Sequence, residues 1–105
     1  MNVKGILPLL ILQVLAKGPG YGYQILSDIR QRSDGILDYN EGALYPVLYQ
    51  LERDELVTTH EEIVAGRVRR FYQLTERGRA QLVEARDDWD RVTHAVSLIL
   101  KDASI

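Results

Sequence analysis

The sequence predicts a mainly α-helical fold with a small β-hairpin (α+β), and three features of the chain lead to this prediction. Apolar residues recur at helical spacing in four separate stretches. Between the third and fourth stretches the pattern changes to partial alternation rich in β-branched residues, which is typical of two strands joined by a turn. The length of 105 residues, with 46% hydrophobic and 27% charged residues, corresponds to one globular domain.

Two helices are predicted in the first third of the chain. The first ends at residues 17–20, where lysine, glycine and proline form a helix stop followed by a turn. The second covers residues 21–32 and is followed by Ser-Asp-Gly at 33–35. The apolar positions of the two helices are Leu7, Leu10, Ile11, Val14, Leu15, Ile25, Leu26 and Ile29.

The third helix, predicted over residues 40–54, has two faces of different character. Tyr45, Tyr49 and Arg53 follow one another at intervals of four, so they are expected in a row on the solvent side. Two exposed tyrosines and an arginine suit contact with a polar, anionic partner. The alternative is an ordinary amphipathic helix whose tyrosines partly cover a neighbouring element. The apolar face, directed to the core, consists of Leu44, Val47, Leu48 and Leu51.

The start of the third helix carries opposing signals. Asn40 is a favourable N-cap, and Glu41 in the first turn complements the helix dipole. Pro46, in contrast, removes an amide donor and crowds the carbonyl four residues earlier. We therefore expect either a helix start nearer Leu44 or a bend in the first turns.

A β-hairpin is predicted next, with strands at residues 56–63 and 68–74 and a turn at 64–67. Arg67, Arg69 and Arg70 lie near its tip. A ribbon with arginines at its tip, directly after an exposed polar-aromatic helix, predicts the wing of a winged helix-turn-helix. The alternative is a solvated hairpin whose arginines serve solubility.

The fourth helix is predicted from Glu76 to about Lys101, with Thr75 as its N-cap. It would be roughly 39 Å long, which is longer than a domain of this size covers with its own core. Its apolar positions step by three and four residues, a heptad seam that predicts pairing with the same helix of a second copy. The alternative is a helix that folds back over the first three. The seam consists of Leu82, Ala85, Trp89, Val92, Val96 and Ile99.

These elements predict two segments: a winged helix-turn-helix DNA-binding domain at residues 1–78 and a dimerisation helix at 79–105. The formal net charge of −2 by itself argues against nucleic-acid binding. However, residues 63–80 contain five arginines against one glutamate, while carboxylates are concentrated in the last quarter of the chain. A chain polarised in this way can present a basic face while it remains acidic overall.

Other classes of function find little support. The chain has no cysteine, which excludes disulfides, thiolate nucleophiles and cysteine-based zinc sites. His60 and His94 lie on different predicted elements, and neither a nucleophile-base pairing nor metal-ligand spacing is found. We expect no enzymatic activity, no cofactor, no metal and an exposed His60. The apolar residues 6–15 are too few to span a bilayer, so no membrane partner and a cytoplasmic protein are expected.

The chain resembles PadR-type transcriptional regulators, in the short branch with a single C-terminal helix. The resemblance covers nearly the whole chain, and Trp89 matches the tryptophan of the last helix in that branch. Tyr21 stands where a histidine is common, and Val68 interrupts the usual run of basic residues in the wing. The likeness is carried by residues 9–15 with Gly18 and Pro19, residues 22–25, residues 41–46 with Leu51 and Glu52, and residues 66–78.

The resemblance implies a homodimeric repressor that binds an inverted-repeat operator in double-stranded DNA and is released by a small-molecule effector. Some short relatives hold planar aromatic compounds between paired tryptophans at the dimer interface, which makes Trp89 the candidate effector site. Asp88 or Asp90 would be available there to attract a cation. The alternative for Trp89 is a seam residue packed against its symmetry mate.

Nine residues are predicted to contact DNA. Tyrosine hydroxyls and arginines most often bond phosphate, whereas Gln50 is best suited to reading an adenine edge. A function of another class stays open: a winged-helix dimer used as a protein-interaction module without DNA binding, favoured by the overall acidity and by Val68. The predicted DNA-binding residues are Tyr21, Asn40, Tyr45, Tyr49, Gln50, Arg53, Arg67, Arg69 and Arg70.

Overall fold

The computed structural model of the protein describes residues 4–101, with side chains from residue 5 onward. Residues 1–3 and 102–105, which belong to the ends of the two predicted segments, lie outside the described residues. The mainly α-helical fold with a hairpin and a long last helix is confirmed. In chain order the elements are a short 3₁₀ helix Lys4–Ile6, α1 Leu7–Leu15, β1 Gly20–Tyr21, α2 Gly22–Arg32, α3 Glu41–Arg53, β2 Val57–Val64, β3 Arg67–Leu74 and α4 Glu76–Leu100.

The sheet has three antiparallel strands in the order β1-β3-β2. Its first strand was not predicted, because two residues cannot display an alternating pattern. Gly20 pairs with Tyr72 and Tyr21 pairs with Phe71, so β3 is held between β1 and β2. This pairing ties the base of the hairpin to the residues that open α2.

The hairpin turn is shorter than predicted. Strands β2 and β3 extend to Val64 and Arg67, which leaves only Ala65 and Gly66 between them instead of the predicted turn at 64–67. Both turn residues have left-handed backbone angles, with φ of 51° and 78°. Two consecutive residues with positive φ are typical of a type I′ turn, whose twist matches that of the strands. Arg67 therefore lies at the end of a strand, beside the turn.

The third helix begins at Glu41, so the first of the two expected alternatives, a start nearer Leu44, is not observed. Asn40 is its N-cap, and its side-chain oxygen accepts a hydrogen bond of 2.9 Å from the amide of Ala43. Pro46 lies inside the helix and lacks the amide that would bond to the carbonyl of Gly42. The hydrogen bond that Pro46 cannot form costs less than the N-cap and the burial of Leu44, Leu48 and Leu51 contribute.

The core lies between the first three helices, the base of the sheet and the first two turns of α4. Leu82 is the last residue of α4 that belongs to it. Gly78 lets the first turn of α4 approach the loop before β2, since a β-carbon there would overlap the carbonyl oxygen of Leu56. The buried apolar residues are Leu7, Ile11, Leu12, Leu15, Ile25, Ile29, Leu44, Leu48, Leu51, Val57, Phe71, Tyr72, Leu74 and Leu82.

The last helix leaves the body of the molecule. Its N-cap is Thr75, as predicted, and the Thr75 hydroxyl accepts a hydrogen bond of 3.0 Å from the amide of Gly78. Every side chain from Arg86 to Leu100 except Thr93 is exposed in the single chain. The described part of the molecule accordingly measures 60 × 28 × 21 Å. The alternative in which this helix folds back over the first three is not observed.

Candidate nucleic-acid interface

A groove of about 230 Å³ lies where the start of α2, the exposed face of α3 and strand β3 meet. It exists because β1 brings the start of α2 alongside β3. Tyrosines dominate its lining, and two arginines and one glutamate provide its charges. The lining residues are Tyr21, Gly22, Tyr23, Glu41, Tyr45, Tyr49, Val68, Arg69, Arg70 and Tyr72.

Tyr45 and Tyr49 form the α3 wall of the groove. Their ring centroids are 5.9 Å apart, with the planes tilted by 34°. Tyr49 is exposed, but Tyr45 is only half-exposed because its ring lies on the backbone of Gly22. Burial raises the pKa of Tyr45, and the nearby Glu41 carboxylate raises it further. The Tyr45 hydroxyl therefore stays protonated near neutral pH and is available as a hydrogen-bond donor.

Arg69 lies against the ring of Tyr21. Its guanidinium carbon is 5.0 Å from the ring centroid, within the range of a cation–π contact. The rings of Tyr21 and Phe71 pack edge to face, with centroids 5.3 Å apart and an interplanar angle of 75°. Nε of Arg69 is buried and has no hydrogen-bond partner within the described part of the chain. Tyr21 thus packs against Arg69 and helps to fix its position. This role differs from the phosphate contact that was predicted for Tyr21.

Arg70, one of the predicted DNA contacts, pairs with a carboxylate of α3. Its Nη2 lies 3.0 Å and 3.2 Å from the two carboxylate oxygens of Glu52, near the end of α3. The same nitrogen is 3.4 Å from the hydroxyl of Thr59 on β2. Arg70 is therefore paired with a carboxylate at the protein surface, and Arg67 and Arg69 are the wing cations without a carboxylate partner among residues 5–101.

The exposed end of α3 carries a chain of side-chain hydrogen bonds. Arg53 donates to the side-chain oxygen of Gln50 at 2.7 Å, and the amide nitrogen of Gln50 donates to Asp54 at 3.0 Å. Both ends of the Gln50 amide are therefore occupied. Gln50 must exchange these bonds for those of a base edge if it is to read DNA.

His60 lies on a strand, as expected, but is less exposed than expected. It is half-buried and its ring stacks on Phe71, with centroids 5.5 Å apart and planes 15° from parallel. Its Nε2 lies 2.6 Å from a carboxylate oxygen of Glu62. The hairpin register that places His60 opposite Phe71 produces this stack, and that register follows from the two-residue turn.

The predicted seam on α4 divides into a buried and an exposed part. Leu82 packs in the core of its own chain and Ala85 is half-buried, whereas Trp89 is 44% exposed and Ile99 is 75% exposed. Val92 and Val96 lie exposed between them. Near Trp89, Asp88 pairs with Arg91 at 3.2 Å. The part of the seam that is available to a partner therefore begins at the half-buried Ala85.

Within residues 4–101, no group of three or more histidine or carboxylate side chains could hold a metal ion. None of the helices there has the length and apolar character needed to cross a bilayer.

The three-helix core, the arginine-bearing hairpin and the long last helix together define a winged helix-turn-helix protein with a C-terminal helical extension. The model of the transcriptional regulator PadR-like family matches residues 11–84. The chain belongs to this family of transcriptional regulators.

Similar proteins agree with this assignment. The transcriptional regulator Rv3488 of Mycobacterium tuberculosis is 49% identical over 45 residues, which cover 43% of this chain and 42% of the relative. A transcriptional regulator from Clostridium thermocellum has the same fold, with a TM-score of 0.87 at 23% identity over 94% of this chain and 97% of the other. Bacillus subtilis PadR, solved in complex with operator DNA, gives a TM-score of 0.68 at 26% identity over 75% of this chain and 45% of that one.

Proposed function

We propose that the protein is a homodimeric repressor that binds an inverted-repeat operator through α3 and the wing. The observation that carries the proposal is the groove itself: tyrosine side chains line the same space as Arg69, which has no carboxylate partner among residues 5–101, beside the exposed face of α3. Hydroxyls and guanidinium groups are the donors that most often bind DNA phosphates. The similar fold of Bacillus subtilis PadR, which has been solved with operator DNA, supports the proposal.

The groove and the wing would contact different parts of the DNA. In this proposal α3 enters the major groove, and the phosphates along one edge of that groove are bound by Tyr45, Tyr49 and Arg69. Asn40, at the start of α3, would lie near the same phosphates. Arg67, beside the two-residue turn, would reach the adjacent backbone or minor groove. Gln50 and Arg53 would read base edges after giving up their mutual hydrogen bond.

Dimerisation would use the exposed seam of α4. An apolar row of this length on a protruding helix is typical of a protein interface. Pairing it with the same row of a second copy would place two α3 helices on one duplex, as an inverted repeat requires. In this proposal residues 1–78 contact DNA and residues 79–105 form the dimer. The interface residues would be Ala85, Trp89, Val92, Val96 and Ile99, with Leu82 supporting them from the core.

An effector site at Trp89 forms part of the same proposal. Two Trp89 rings across a two-fold axis would leave a slot for a planar aromatic compound, which would stack between them. Binding there would change the angle between the two wings and release the operator. Trp89 is the only tryptophan, so its fluorescence reports on this slot directly. An emission unchanged across a set of planar aromatic compounds would argue against the site.

The test of DNA binding is a gel shift with the promoter fragment upstream of the protein's own gene. We expect a discrete complex with this fragment and much weaker binding to a scrambled fragment of the same composition. The competing function, a protein-interaction module without DNA binding, is favoured by the net charge of −2 and by the neutralised Arg70. Equal, weak binding to both fragments would support that function instead.

A further inference from the structure

We infer that Glu52 and Arg70 form a brace that fixes the angle between α3 and the wing, and that Arg70 is a positioning residue and not a phosphate contact. The inference rests on the proposed function where it concerns DNA affinity. The brace itself is a property of the free protein.

Three side chains from three elements make up the brace. Arg70 on β3 donates to both carboxylate oxygens of Glu52, at 3.0 Å and 3.2 Å. The hydroxyl of Thr59 on β2 donates to the same carboxylate at 3.5 Å and accepts from Arg70 at 3.4 Å. A closed network of this kind is more rigid than a single exposed ion pair, because each group restricts the other two.

The buried ring beneath the network holds the arginine in place. The Arg70 guanidinium lies 5.8 Å from the ring centroid of Tyr72, which is 1% exposed. Tyr72 pairs with Gly20 of β1, so the base on which Arg70 rests is itself fixed to the start of α2. The brace therefore joins the last turn of α3 to the most firmly held part of β3.

Beyond this point the wing has little support from the body. Glu61, Glu62, Ile63 and Val68 are exposed, and the tip is held mainly by β2–β3 pairing. A small rotation at the base is amplified toward the tip, where Arg67 lies. For this reason a contact at Arg70 controls where Arg67 meets DNA.

The two possible roles of Arg70 give opposite predictions for Glu52. If Arg70 were a phosphate ligand, Glu52 would compete with the phosphate, and its removal would strengthen DNA binding. If Arg70 is part of a brace, removal of either partner misplaces the wing and weakens binding. The sign of the effect of Glu52→Gln therefore distinguishes the roles.

The experiment measures affinity for the promoter fragment over a range of salt concentrations, using the full chain. We expect Glu52→Gln and Arg70→Gln each to weaken binding about two- to fivefold, the range that the coupling of an exposed ion pair allows. The double exchange, Glu52→Arg with Arg70→Glu, should restore affinity to within about twofold of the wild type on the same basis. The salt slope should stay unchanged in Arg70→Gln, whereas loss of a phosphate contact lowers it by about one.

Asp28 and Arg32 provide the matched controls. They form an ion pair within α2, so Asp28→Asn and Arg32→Gln change the net charge by the same amounts as Glu52→Gln and Arg70→Gln. Unlike those variants, they break no contact between two elements. Tighter binding in Glu52→Gln than in Asp28→Asn would overturn the inference. So would a lower slope in Arg70→Gln than in Arg32→Gln, or failure of the double exchange to recover affinity.

Amide hydrogen exchange on the free protein separates the brace from DNA binding. Both single variants should exchange the β2 and β3 amides about two- to fivefold faster, and the double exchange should restore the wild-type rates. If the wild type binds no promoter DNA but this exchange pattern is found, the proposed function fails and the brace stands. If DNA is bound and exchange is the same in all variants, the brace fails.

Discussion

The phenol of Tyr45 lies directly on the backbone of Gly22, and a β-carbon at position 22 would overlap the phenol oxygen. This contact joins the exposed face of α3 to the first residue of α2. Tyr45 and Gly22 both line the groove, together with Tyr49 and Arg69. The proposed DNA-contacting surface therefore depends on the lack of a side chain at Gly22.

Replacing Gly22 with alanine should displace Tyr45. We expect the free energy of unfolding to fall by about 1–3 kcal/mol, the usual cost of overfilling a packed site. Promoter affinity should fall as well, because the groove changes shape. Urea denaturation and fluorescence anisotropy measure the two effects. Gly5→Ala is the matched control, since no atom lies within 4 Å of a β-carbon there. Wild-type stability and affinity in Gly22→Ala would show that the contact is unimportant.

Gly78→Ala tests the junction between the winged domain and the last helix. Alanine is favoured over glycine inside a helix by about 1 kcal/mol, so propensity alone predicts a more stable protein. The added β-carbon, however, overlaps the backbone carbonyl of Leu56, which cannot move independently of β2. We expect net destabilisation of about 1–3 kcal/mol in urea denaturation. An increase in stability would mean that the loop before β2 can move away from the added β-carbon at little cost in free energy.

Arg67→Ala should weaken binding to promoter and scrambled DNA by a similar factor. The slope of log affinity against log salt should decrease by about one, the effect of one lost phosphate contact. Arg32→Ala removes the same charge at the far end of α2, about 15 Å along the helix from the groove, and should leave the slope unchanged. Equal slopes in the two variants would contradict a DNA contact at the tip of the wing.

A charge placed in the exposed seam should separate the proposed dimer. Val92→Asp is expected to give a monomer in analytical ultracentrifugation, because two carboxylates would be buried against each other across the interface. Leu98→Asp is the control. It places the same residue on an exposed position of α4 outside the seam, and the dimer should persist. A dimer in both variants would exclude the seam as the interface.

Stability should fall at high pH partly because of Tyr72. Burial raises its pKa above the ordinary value of 10.0, with the Arg70 guanidinium opposing the shift. Since the unfolded chain then loses this proton first, the contribution of Tyr72 to stability is complete below about pH 10 and is lost as the pH rises above it. The decrease between pH 8 and pH 10.5 in urea denaturation should be smaller in Tyr72→Phe than in the wild type. Tyr23→Phe, at an exposed position, should leave it unchanged.

The parts of the fold governed by local signals followed from the sequence. Asn40 and Thr75 are N-caps as predicted, because a capping side chain acts on an amide three residues away. The apolar face of α3 is directed to the core because its period is that of a helix. Each of these predictions depends on residues within about two helical turns of one another.

The parts that were missed depend on contacts between distant residues. The pairing of Arg70 with Glu52 joins residues that are 18 positions apart, and nothing in the pattern of either segment indicates it. The packing of Arg69 on the ring of Tyr21 depends on strand β1, which was not predicted. The stacking of His60 on Phe71 joins two residues that the predicted turn at 64–67 already places opposite each other, since a turn centred on Ala65 and Gly66 gives the same register at either length.

Hydroxyl-radical footprinting of the promoter fragment tests the central proposal most directly, because it locates both copies of α3 on the DNA at once. Two protected segments related by two-fold symmetry are expected, with centres about 34–36 Å, or a multiple of this distance, apart. Arg67→Ala should leave the spacing unchanged and weaken protection at the flanks. A single protected segment without a symmetric partner, or no protection at concentrations that saturate the gel shift, would contradict a dimer bound to an inverted repeat.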